Sequence, residues 1–391
     1  MLYSAIMAIG DLIDLKIEKI SSEGDGVGRF EGKTIFVAGA APEERVQAYV
    51  EEEKKLFARA SLAKVLVPSS SRIEPVCPVF GECGGCSLQH IDYSMQIQQK
   101  KSLLKDAFSR IGGFTEIPAI RTFPSAPYEY RNRMQFHRVK KNSAVGLKKR
   151  AGNEVMTISD CPIADPGIRQ ALRAGSLVSP PWTDRFQVFS SGALFLSEGG
   201  VEKGETNIAG KKLKLDVGGF FQSNVHMLET LLAEVTETAK SVADSGRNSR
   251  VLDLYCGVGT FGAFLTDYFE NIDLVELDKK AAALARENVK SKGARLFAVS
   301  DDDWAKRIES RQSYDFAVVD PPRVGLSSSL RKWLIESKPE TLVYVSCDPA
   351  TLARDAKELS AAAFELRSLS LYDFYPQTPH IESLAVFGRR D

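Results

Sequence analysis

Leu342-Val343-Tyr344-Val345-Ser346-Cys347-Asp348-Pro349 is an apolar run that stops abruptly at an Asp-Pro pair. Its length and valine content predict a buried strand of a parallel sheet, ending on Cys347. Because ligands of open α/β sheets bind outside the carboxyl ends of the strands, we expect this thiol at a working edge. A thiol there can be a nucleophile if its neighbours keep it deprotonated, although a buried structural role is commoner for a single cysteine.

The alternation of strands and helices extends back to Arg250 and predicts a doubly wound α/β domain. Three further strands are predicted to end near Tyr255, at Glu276 and at Asp320. If the sheet is parallel, these side chains and Cys347 converge on one edge. That convergence is more specific than any one motif.

A glycine-rich turn, Gly257-Val258-Gly259-Thr260-Phe261-Gly262, follows the first of these strands, and Glu276 lies 19 residues beyond Gly257. The spacing fits a cofactor with an adenosine ribose, which both NAD and S-adenosylmethionine contain. Two features favour S-adenosylmethionine. The Asp253 carboxylate would attract a cationic methionine group and repel a pyrophosphate, and Asp320-Pro321-Pro322 would form a rigid wall against a flat base.

The preceding chain divides into two predicted segments. Residues 8–67 contain short alternating strands and glycine turns, which are typical of a compact barrel of the kind that binds oligonucleotides. A central α+β domain is predicted at 68–235, and the α/β domain at 236–391, with a polar boundary segment at 243–249. The predicted fold class is therefore α/β with an N-terminal OB-like barrel.

Three cysteines lie in one glycine-containing stretch with the spacing C-x5-C-x2-C, and a fourth thiol is distant. Four thiolates suit either tetrahedral zinc or an iron–sulfur cluster. Structural zinc sites usually pair two C-x2-C knuckles, and the second knuckle is missing, which favours iron and sulfur. The cysteines are Cys77, Cys83, Cys86 and Cys161.

One segment is strongly basic within a chain whose 51 lysines and arginines balance 51 acidic residues. Aromatic residues alternate with the basic ones, a combination that suits phosphate contact and base stacking, although a solvated sheet surface explains it equally well. No signal peptide or membrane span is apparent, so we expect a cytoplasmic protein. The basic residues are Arg121, Arg131, Arg133, Arg138, Lys140, Lys141, Lys148, Lys149 and Arg150.

Taken together, these residues resemble the RNA uracil-5-methyltransferase family, in its iron–sulfur branch with an N-terminal TRAM domain. The resemblance covers nearly the whole chain and is closest at SCDPATLARD (346–355) and YPQTPHIE (375–382). It implies that Gln222, Tyr255, Glu276 and Asp320 bind S-adenosylmethionine. It also implies that Cys347 is the nucleophile, that Glu382 is the base, and that the four cysteines ligate a 4Fe–4S cluster.

The implied reaction methylates carbon 5 of a uridine in RNA, with 23S rRNA as the expected target and the T-loop of tRNA as the alternative. The target base would flip into the pocket of a monomeric enzyme. A cytosine-5 enzyme would usually have a second catalytic cysteine after a proline, where this chain has Arg323. An N-methyltransferase would leave Cys347 and Glu382 without a role, and a non-catalytic iron–sulfur RNA-binding protein would not need S-adenosylmethionine.

Overall fold

The structure is a computed structural model and describes residues 7–139, 144–150, 152–243 and 249–390. Its strands are β1 (Leu12–Ile20), β2 (Gly26–Phe30), β3 (Lys33–Ala38), β4 (Arg45–Glu53), β5 (Phe57–Val67), β6 (Arg121–Phe123), β7 (Arg133–Arg138), β8 (Val145–Lys148), β9 (Val155–Thr157), β10 (Arg185–Ser191), β11 (Leu194–Ser197), β12 (Lys203–Ile208), β13 (Lys211–Asp216), β14 (Arg250–Leu254), β15 (Asn271–Val275), β16 (Gly293–Phe297), β17 (Phe316–Val319), β18 (Thr341–Ser346), β19 (Phe364–Tyr372) and β20 (Glu382–Arg389).

The helices are α1 (Tyr93–Arg110), α2 (Pro166–Arg173), α3 (Val225–Ala243), α4 (Thr260–Leu265), α5 (Lys279–Asn288), α6 (Asp301–Lys306), α7 (Ser328–Ser337) and α8 (Pro349–Ala362). The chain divides into two compact units. The first comprises Met1–Leu103, Gly146–Ile158 and Tyr375–His380, and the second comprises Leu104–Val145, Ser159–Phe374 and Ile381–Asp391.

The first unit contains a closed barrel with strand order β1-β2-β3-β5-β4. Alternate residues of β1 point inward and are buried, including Ile13, Leu15 and Ile17, because side chains on a strand alternate between its two faces. Gly28 must be glycine, since a Cβ atom there would lie 2.3 Å from the carbonyl oxygen of Lys16. This confirms the barrel predicted from the N-terminal sequence.

The second unit is built on an eight-stranded sheet with the order β16-β15-β14-β17-β18-β20-β19-β6. Strands β14 to β18 run parallel, and β20 lies antiparallel between β18 and β19. Strands β17 and β18 are buried along their whole length, as the continuous apolar runs of their sequences require. The predicted doubly wound α/β fold is therefore confirmed, and the antiparallel pair β19–β20 is an addition that the strand pattern did not reveal.

A smaller antiparallel sheet in the same unit has the order β11-β10-β7, and β12 and β13 form a separate hairpin. One face of the small sheet carries buried side chains such as Phe136, Phe186 and Val188. Helix α2 packs on this face, where Ser190 Oγ donates to Asp165, the N-cap of that helix, at 2.6 Å. The other face is partly open.

Two predicted features fall outside the described residues. They are residues 244–248 of the polar boundary segment, and the basic residues Lys140 and Lys141. The three predicted domains, 8–67, 68–235 and 236–391, stay a prediction. None of the helices in the described part of the chain combines the length and hydropathy that a membrane crossing requires.

Candidate active site

Four predicted site residues each stand one position beyond the end of a parallel strand. Tyr255 follows β14, Glu276 follows β15, Asp320 follows β17 and Cys347 follows β18. Because β15, β14, β17 and β18 are consecutive neighbours in the sheet, these residues line one edge. This edge is formed by the carboxyl ends of the strands, where ligands of open α/β sheets bind.

Three of the predicted cofactor residues, Gln222, Tyr255 and Asp320, line a single cleft, together with Phe220 and Gly257. The Oε1 atom of Gln222 is buried and has no hydrogen-bond partner among the described residues. A buried acceptor of this kind is costly unless a ligand donates to it. The unsatisfied acceptor and the nearby carboxylate therefore fit a cationic ligand that carries amino and hydroxyl donors, such as S-adenosylmethionine.

Glu276, the fourth predicted cofactor residue, does not itself line the cleft, but it contacts Gly257, which does, and it stabilises the glycine-rich turn. Its Oε2 atom accepts the N–H of Gly257 at 2.9 Å, and its Oε1 atom accepts the N–H of Asp278 at 2.6 Å. Gly259 has a φ of 80°, and a Cβ there would lie 2.8 Å from Val289 Cγ2. Only glycine lets the turn adopt this conformation against α5.

Asp253, which the sequence placed near the methionine group, lies fully buried within β14. Its Oδ2 atom accepts the N–H of Gly262 at 2.8 Å, and its Oδ1 atom has no partner among the described residues. Burial raises the pKa of this carboxyl to about 8, with smaller contributions from Asp320 and Glu276. Asp253 therefore supports the glycine turn from beneath it.

Cys347 connects β18 to α8. It precedes Asp348, which caps α8 by accepting two backbone N–H groups of the first helical turn, each at 2.9 Å. The thiol is half-buried. Its position before a helix N-terminus favours the thiolate, because the aligned peptide dipoles place partial positive charge there.

The surroundings of Cys347 nevertheless favour the protonated thiol in the absence of ligands. Burial, together with the carboxylates of Glu382 and Asp320, raises the pKa of Cys347 to about 11, and Arg323 opposes that rise. A cation bound at this edge would act in the same direction as Arg323. It would lower the pKa of the thiol and so favour the thiolate.

Glu382 lies opposite Cys347 through strand pairing. Ser346 of β18 pairs with Ser383 of β20, and Cys347 and Glu382 are the next residues outward along these two antiparallel strands. The Glu382 carboxylate is close enough to the thiol to raise its pKa. The fold thus brings a thiol and a carboxyl together from positions 35 apart in the sequence.

The Glu382 carboxyl is buried, with 3% of its surface exposed. Burial raises its pKa well above the ordinary value, Asp320 adds to that rise, and Arg323 opposes it. Burial likewise raises the pKa of Asp320, to about 7. A carboxylate whose pKa is raised binds a proton more strongly than an ordinary glutamate, which suits a general base.

Asp355 has a role that sequence reasoning missed. This fully buried carboxylate accepts from Tyr344 Oη at 2.8 Å, from the Leu326 N–H at 2.9 Å and from Arg354 Nε at 2.8 Å. It therefore ties the loop after Asp320 to β18 and α8. Its place among buried apolar residues of α8 was the available sequence signal, since an unpaired carboxylate is not tolerated there.

The predicted metal ligands are distributed over both units. Cys77, Cys83 and Cys86 occur in the loop after the barrel in the first unit, and Cys161 belongs to the second unit. The Gly85 N–H donates to Cys83 Sγ at 3.4 Å. Within the described ranges, no group of three or more histidine, cysteine or acidic side chains has an arrangement that could hold a metal ion. The described residues therefore do not define a metal-binding site.

Several residues of the basic segment form ion pairs within their own units. Arg121 pairs with Glu234, and Arg150 pairs with Asp25 at 2.8 Å. Lys149 contacts two carboxylates, at 3.0 and 3.1 Å. These cations are partly neutralised, so the segment presents less positive charge than its sequence implies.

Comparison with known proteins shows which family the chain resembles. Residues 201–390 match the family model for tRNA (Uracil-5-)-methyltransferase, and residues 8–63 match the TRAM domain. A relative from Treponema denticola, an uncharacterized RNA methyltransferase, is 35% identical over 92% of this chain and 94% of its own. A 23S rRNA (uracil(1939)-C(5))-methyltransferase from Shewanella sediminis is 30% identical over 96% of this chain and 95% of its own.

The fold is also found among solved structures. That of the Pyrococcus abyssi tRNA (uracil-54, C5)-methyltransferase, in complex with S-adenosyl-L-homocysteine, aligns with a TM-score of 0.72 at 24% identity, over 96% of this chain and 100% of that one. The chain belongs to the RNA uracil-5-methyltransferase family and is a methyltransferase.

Proposed function

We propose that this enzyme transfers a methyl group from S-adenosylmethionine to carbon 5 of a uridine in RNA, with Cys347 as nucleophile and Glu382 as base. The observation that carries the proposal is the opposition of these two residues across β18 and β20, next to the cleft lined by Gln222, Tyr255 and Asp320. If Glu382 were only a surface carboxylate and Cys347 only a structural cysteine, we would not expect them close together at the ligand-binding edge of the sheet.

Carbon 5 of uracil is too weak a nucleophile to accept a methyl group unaided. The thiolate of Cys347 adds to carbon 6, and the electrons of the C5–C6 double bond move towards oxygen 4 to give an enolate. Arg323 is the cation at this edge that can stabilise the developing negative charge. S-adenosylmethionine supplies the methyl group, and its sulfur retains the electron pair of the broken bond.

Glu382 completes the reaction as a base. After carbon 5 has formed its bond to the methyl group, the carboxylate removes the remaining hydrogen from that carbon as a proton. The electrons of the C–H bond restore the C5–C6 double bond, and the sulfur of Cys347 leaves with its electron pair. A buried carboxylate with a raised pKa is a stronger base than an exposed one, which suits this proton transfer.

Gln222, Tyr255, Glu276 and Asp320 are assigned to the methyl donor. The buried Oε1 atom of Gln222 would accept from an amino or hydroxyl group, and the Asp320 carboxylate would lie near the positive charge. Binding a cation beside Asp320 would also weaken the effect of that carboxylate on Cys347. Cofactor binding and thiol activation are therefore coupled in this proposal.

The RNA target is proposed to be 23S rRNA, supported by relatives named as 23S rRNA methyltransferases. The family model is named for tRNA, which keeps the T-loop as the alternative. We further propose that the target uridine flips out of its stack to reach Cys347, that the enzyme acts as a monomer, and that it works in the cytoplasm. Mapping 5-methyluridine by mass spectrometry in rRNA and tRNA from a deletion strain would distinguish the two targets.

The 4Fe–4S cluster on Cys77, Cys83, Cys86 and Cys161 remains part of the proposal and has no part in the chemistry above. It is supported by the thiol chemistry and by the Gly85 N–H donated to Cys83, a bond that favours a thiolate. Iron and acid-labile sulfide should be present in protein purified without oxygen. A colourless preparation with stoichiometric zinc would contradict the assignment.

The catalytic proposal is tested with Glu382→Gln. Given an unmodified 23S rRNA transcript and S-adenosylmethionine, this variant should accumulate a denaturant-stable protein–RNA adduct, because the methylated intermediate cannot lose its proton. Glu365→Gln, an exposed glutamate on neighbouring β19, is the matched control and should turn over normally. Normal turnover by Glu382→Gln, or an adduct that survives Cys347→Ser, would overturn the assigned roles.

A further inference from the structure

The open face of the small sheet β11-β10-β7 carries a row of polar side chains. Gln187 of β10 is directly paired with Gln135 of β7, and Arg185 is paired with His137, so all four share one face. Gln135 and Arg185 are exposed. We call these four residues the amide patch.

Three of the four side chains in the amide patch, those of Gln187, Gln135 and His137, are hydrogen-bonded in a row. Gln187 Nε2 donates to Gln135 Oε1 at 3.2 Å, and Gln135 Nε2 lies 3.1 Å from His137 Nε2. Glu198 also faces this region, where its Oε2 atom accepts the backbone N–H of Gln187 at 2.6 Å. These bonds limit the side-chain conformations that Gln135, Gln187 and His137 can adopt on their strands.

The patch continues to the rim of the cofactor cleft. Arg133, two residues before Gln135 on β7, donates from Nη2 to the carbonyl oxygen of Gly219 at 2.8 Å. Phe220 follows directly, lines the cleft, and has 63% of its surface exposed. An RNA strand that left the cleft past Phe220 would next reach the amide patch.

Charge also favours a polyanion here. Arg185 is exposed and forms no ion pair within the described ranges, unlike Arg121, which pairs with a carboxylate in the same unit. An arginine without an ion-pair partner, beside the exposed amide of Gln135, is a combination that suits contact with phosphates and base edges. The carboxylate of Glu198 is engaged by a backbone N–H and limits the net positive charge of the region.

We propose that the amide patch binds unpaired nucleotides of the RNA that flank the methylated uridine, with Gln135 contacting base edges from a position fixed by Gln187, and Arg185 contacting phosphate. This inference rests on the proposed function and adds a determinant of which uridine is chosen. Single-stranded RNA is the partner that fits, since its splayed bases expose the edges that amide side chains recognise.

The test uses a pool of 20-nucleotide RNAs with one central uridine and random flanks, bound to the full-length chain and sequenced. The wild-type chain should enrich particular bases at one to three positions beside the uridine. Gln135→Ala/Gln187→Ala should reduce that enrichment about tenfold, the size of one base contact, without changing the salt dependence of binding. The exposed single variant Gln135→Ala should lose part of it even if the double variant folds poorly.

Arg185→Ala should act differently from the amide variants. It should weaken binding to all sequences and reduce the slope of log affinity against log salt by about one, because one phosphate contact is lost. Gln170→Ala on α2 is the matched control, an exposed glutamine in the same unit, and should change neither quantity. The proposed RNA-binding role of the amide patch would be overturned if Gln135→Ala/Gln187→Ala kept the wild-type enrichment, or if Arg185→Ala left the salt slope unchanged.

Failure of the patch can be separated from failure of the proposed function by measuring 5-methyluridine in the bound pool with S-adenosylmethionine present. A wild-type chain that enriches flanking bases yet never methylates would overturn the proposed function alone. A wild-type chain that methylates while the patch variants retain its sequence preference would overturn the patch alone.

Discussion

Replacing Glu382 with glutamine should make the Cys347 thiol easier to ionise. Burial and the Glu382 carboxylate raise the pKa of this thiol to about 11, so only about one molecule in a thousand carries the thiolate at pH 8. The negative charge of the Glu382 carboxylate is, after burial, the largest influence that raises the thiol pKa. Removing that charge favours the thiolate and must lower the thiol pKa.

The size of the effect follows from the geometry of the paired strands. A unit charge at about 6 Å, with an effective dielectric constant of about 20, contributes about 2.8 kcal/mol, equal to about two pKa units. The partial exposure of Cys347 reduces this to about one unit, which moves the midpoint to about 10. Because thiolate nucleophilicity falls with pKa, the alkylation rate at pH 8 should rise only about threefold.

The assay is iodoacetamide labelling between pH 7 and 11.5, with the peptide that contains Cys347 quantified by mass spectrometry. Peptide resolution is needed because the chain has six cysteines. Glu365→Gln should keep the midpoint at about 11, and Cys347→Ser provides the blank. If Glu382→Gln left the midpoint unchanged or raised it, the two side chains would not be electrostatic neighbours, and the assignment of the base would fail.

Arg323→Met should raise the midpoint of Cys347 above that of the wild type and slow methylation about tenfold, since the cation that opposes the carboxylates is lost; the same labelling profile measures it, and an unchanged profile would contradict the role of Arg323. Asp355→Asn should lower the free energy of unfolding by about 2–4 kcal/mol in urea titrations, because buried donors lose a charged acceptor; a loss below about 0.5 kcal/mol would contradict its tying role. Gly259→Ala should weaken S-adenosylmethionine binding in calorimetry by at least tenfold, through a contact at 2.8 Å and a φ of 80°, and wild-type affinity would argue against a rigid turn. S-adenosylmethionine affinity should fall about tenfold per pH unit below about 7, as Asp320 becomes protonated and loses its charge; calorimetry at pH 6 and 8 checks this, and equal affinities would remove Asp320 from the cation site.

Much of the fold could be predicted because it depends on short-range patterns. The continuous apolar runs of β17 and β18 identify buried parallel strands, and the alternation in β1 identifies a barrel strand. The turn residues at the strand ends then mark one edge of the sheet as the place for chemistry. In the same way, Asp348-Pro349 after Cys347 predicts the start of α8, because its capping bonds involve only neighbouring residues.

The basic segment illustrates what a sequence pattern does not determine. Arg121 and Arg150 were candidates for RNA contact, but each forms an ion pair with a carboxylate distant in sequence. The amide patch, by contrast, gave no sequence signal, since Gln135 and Gln187 are ordinary polar residues until β7 and β10 pair. Charge counts along a chain do not include partners that folding supplies.

Local patterns along the chain were enough to predict the kinds of elements, the turn chemistry at the strand ends and the candidate thiol, because each depends on residues within about one turn or strand of each other. The antiparallel insertion of β20 beside β18, which brings Glu382 near Cys347, became visible in the folded chain alone. The folded chain also shows that the Asp355 carboxylate is buried against the loop after Asp320. The physical reason is that strand register and burial are fixed by long-range pairing of backbone groups and apolar faces, and no local periodicity specifies which distant strand supplies the partner.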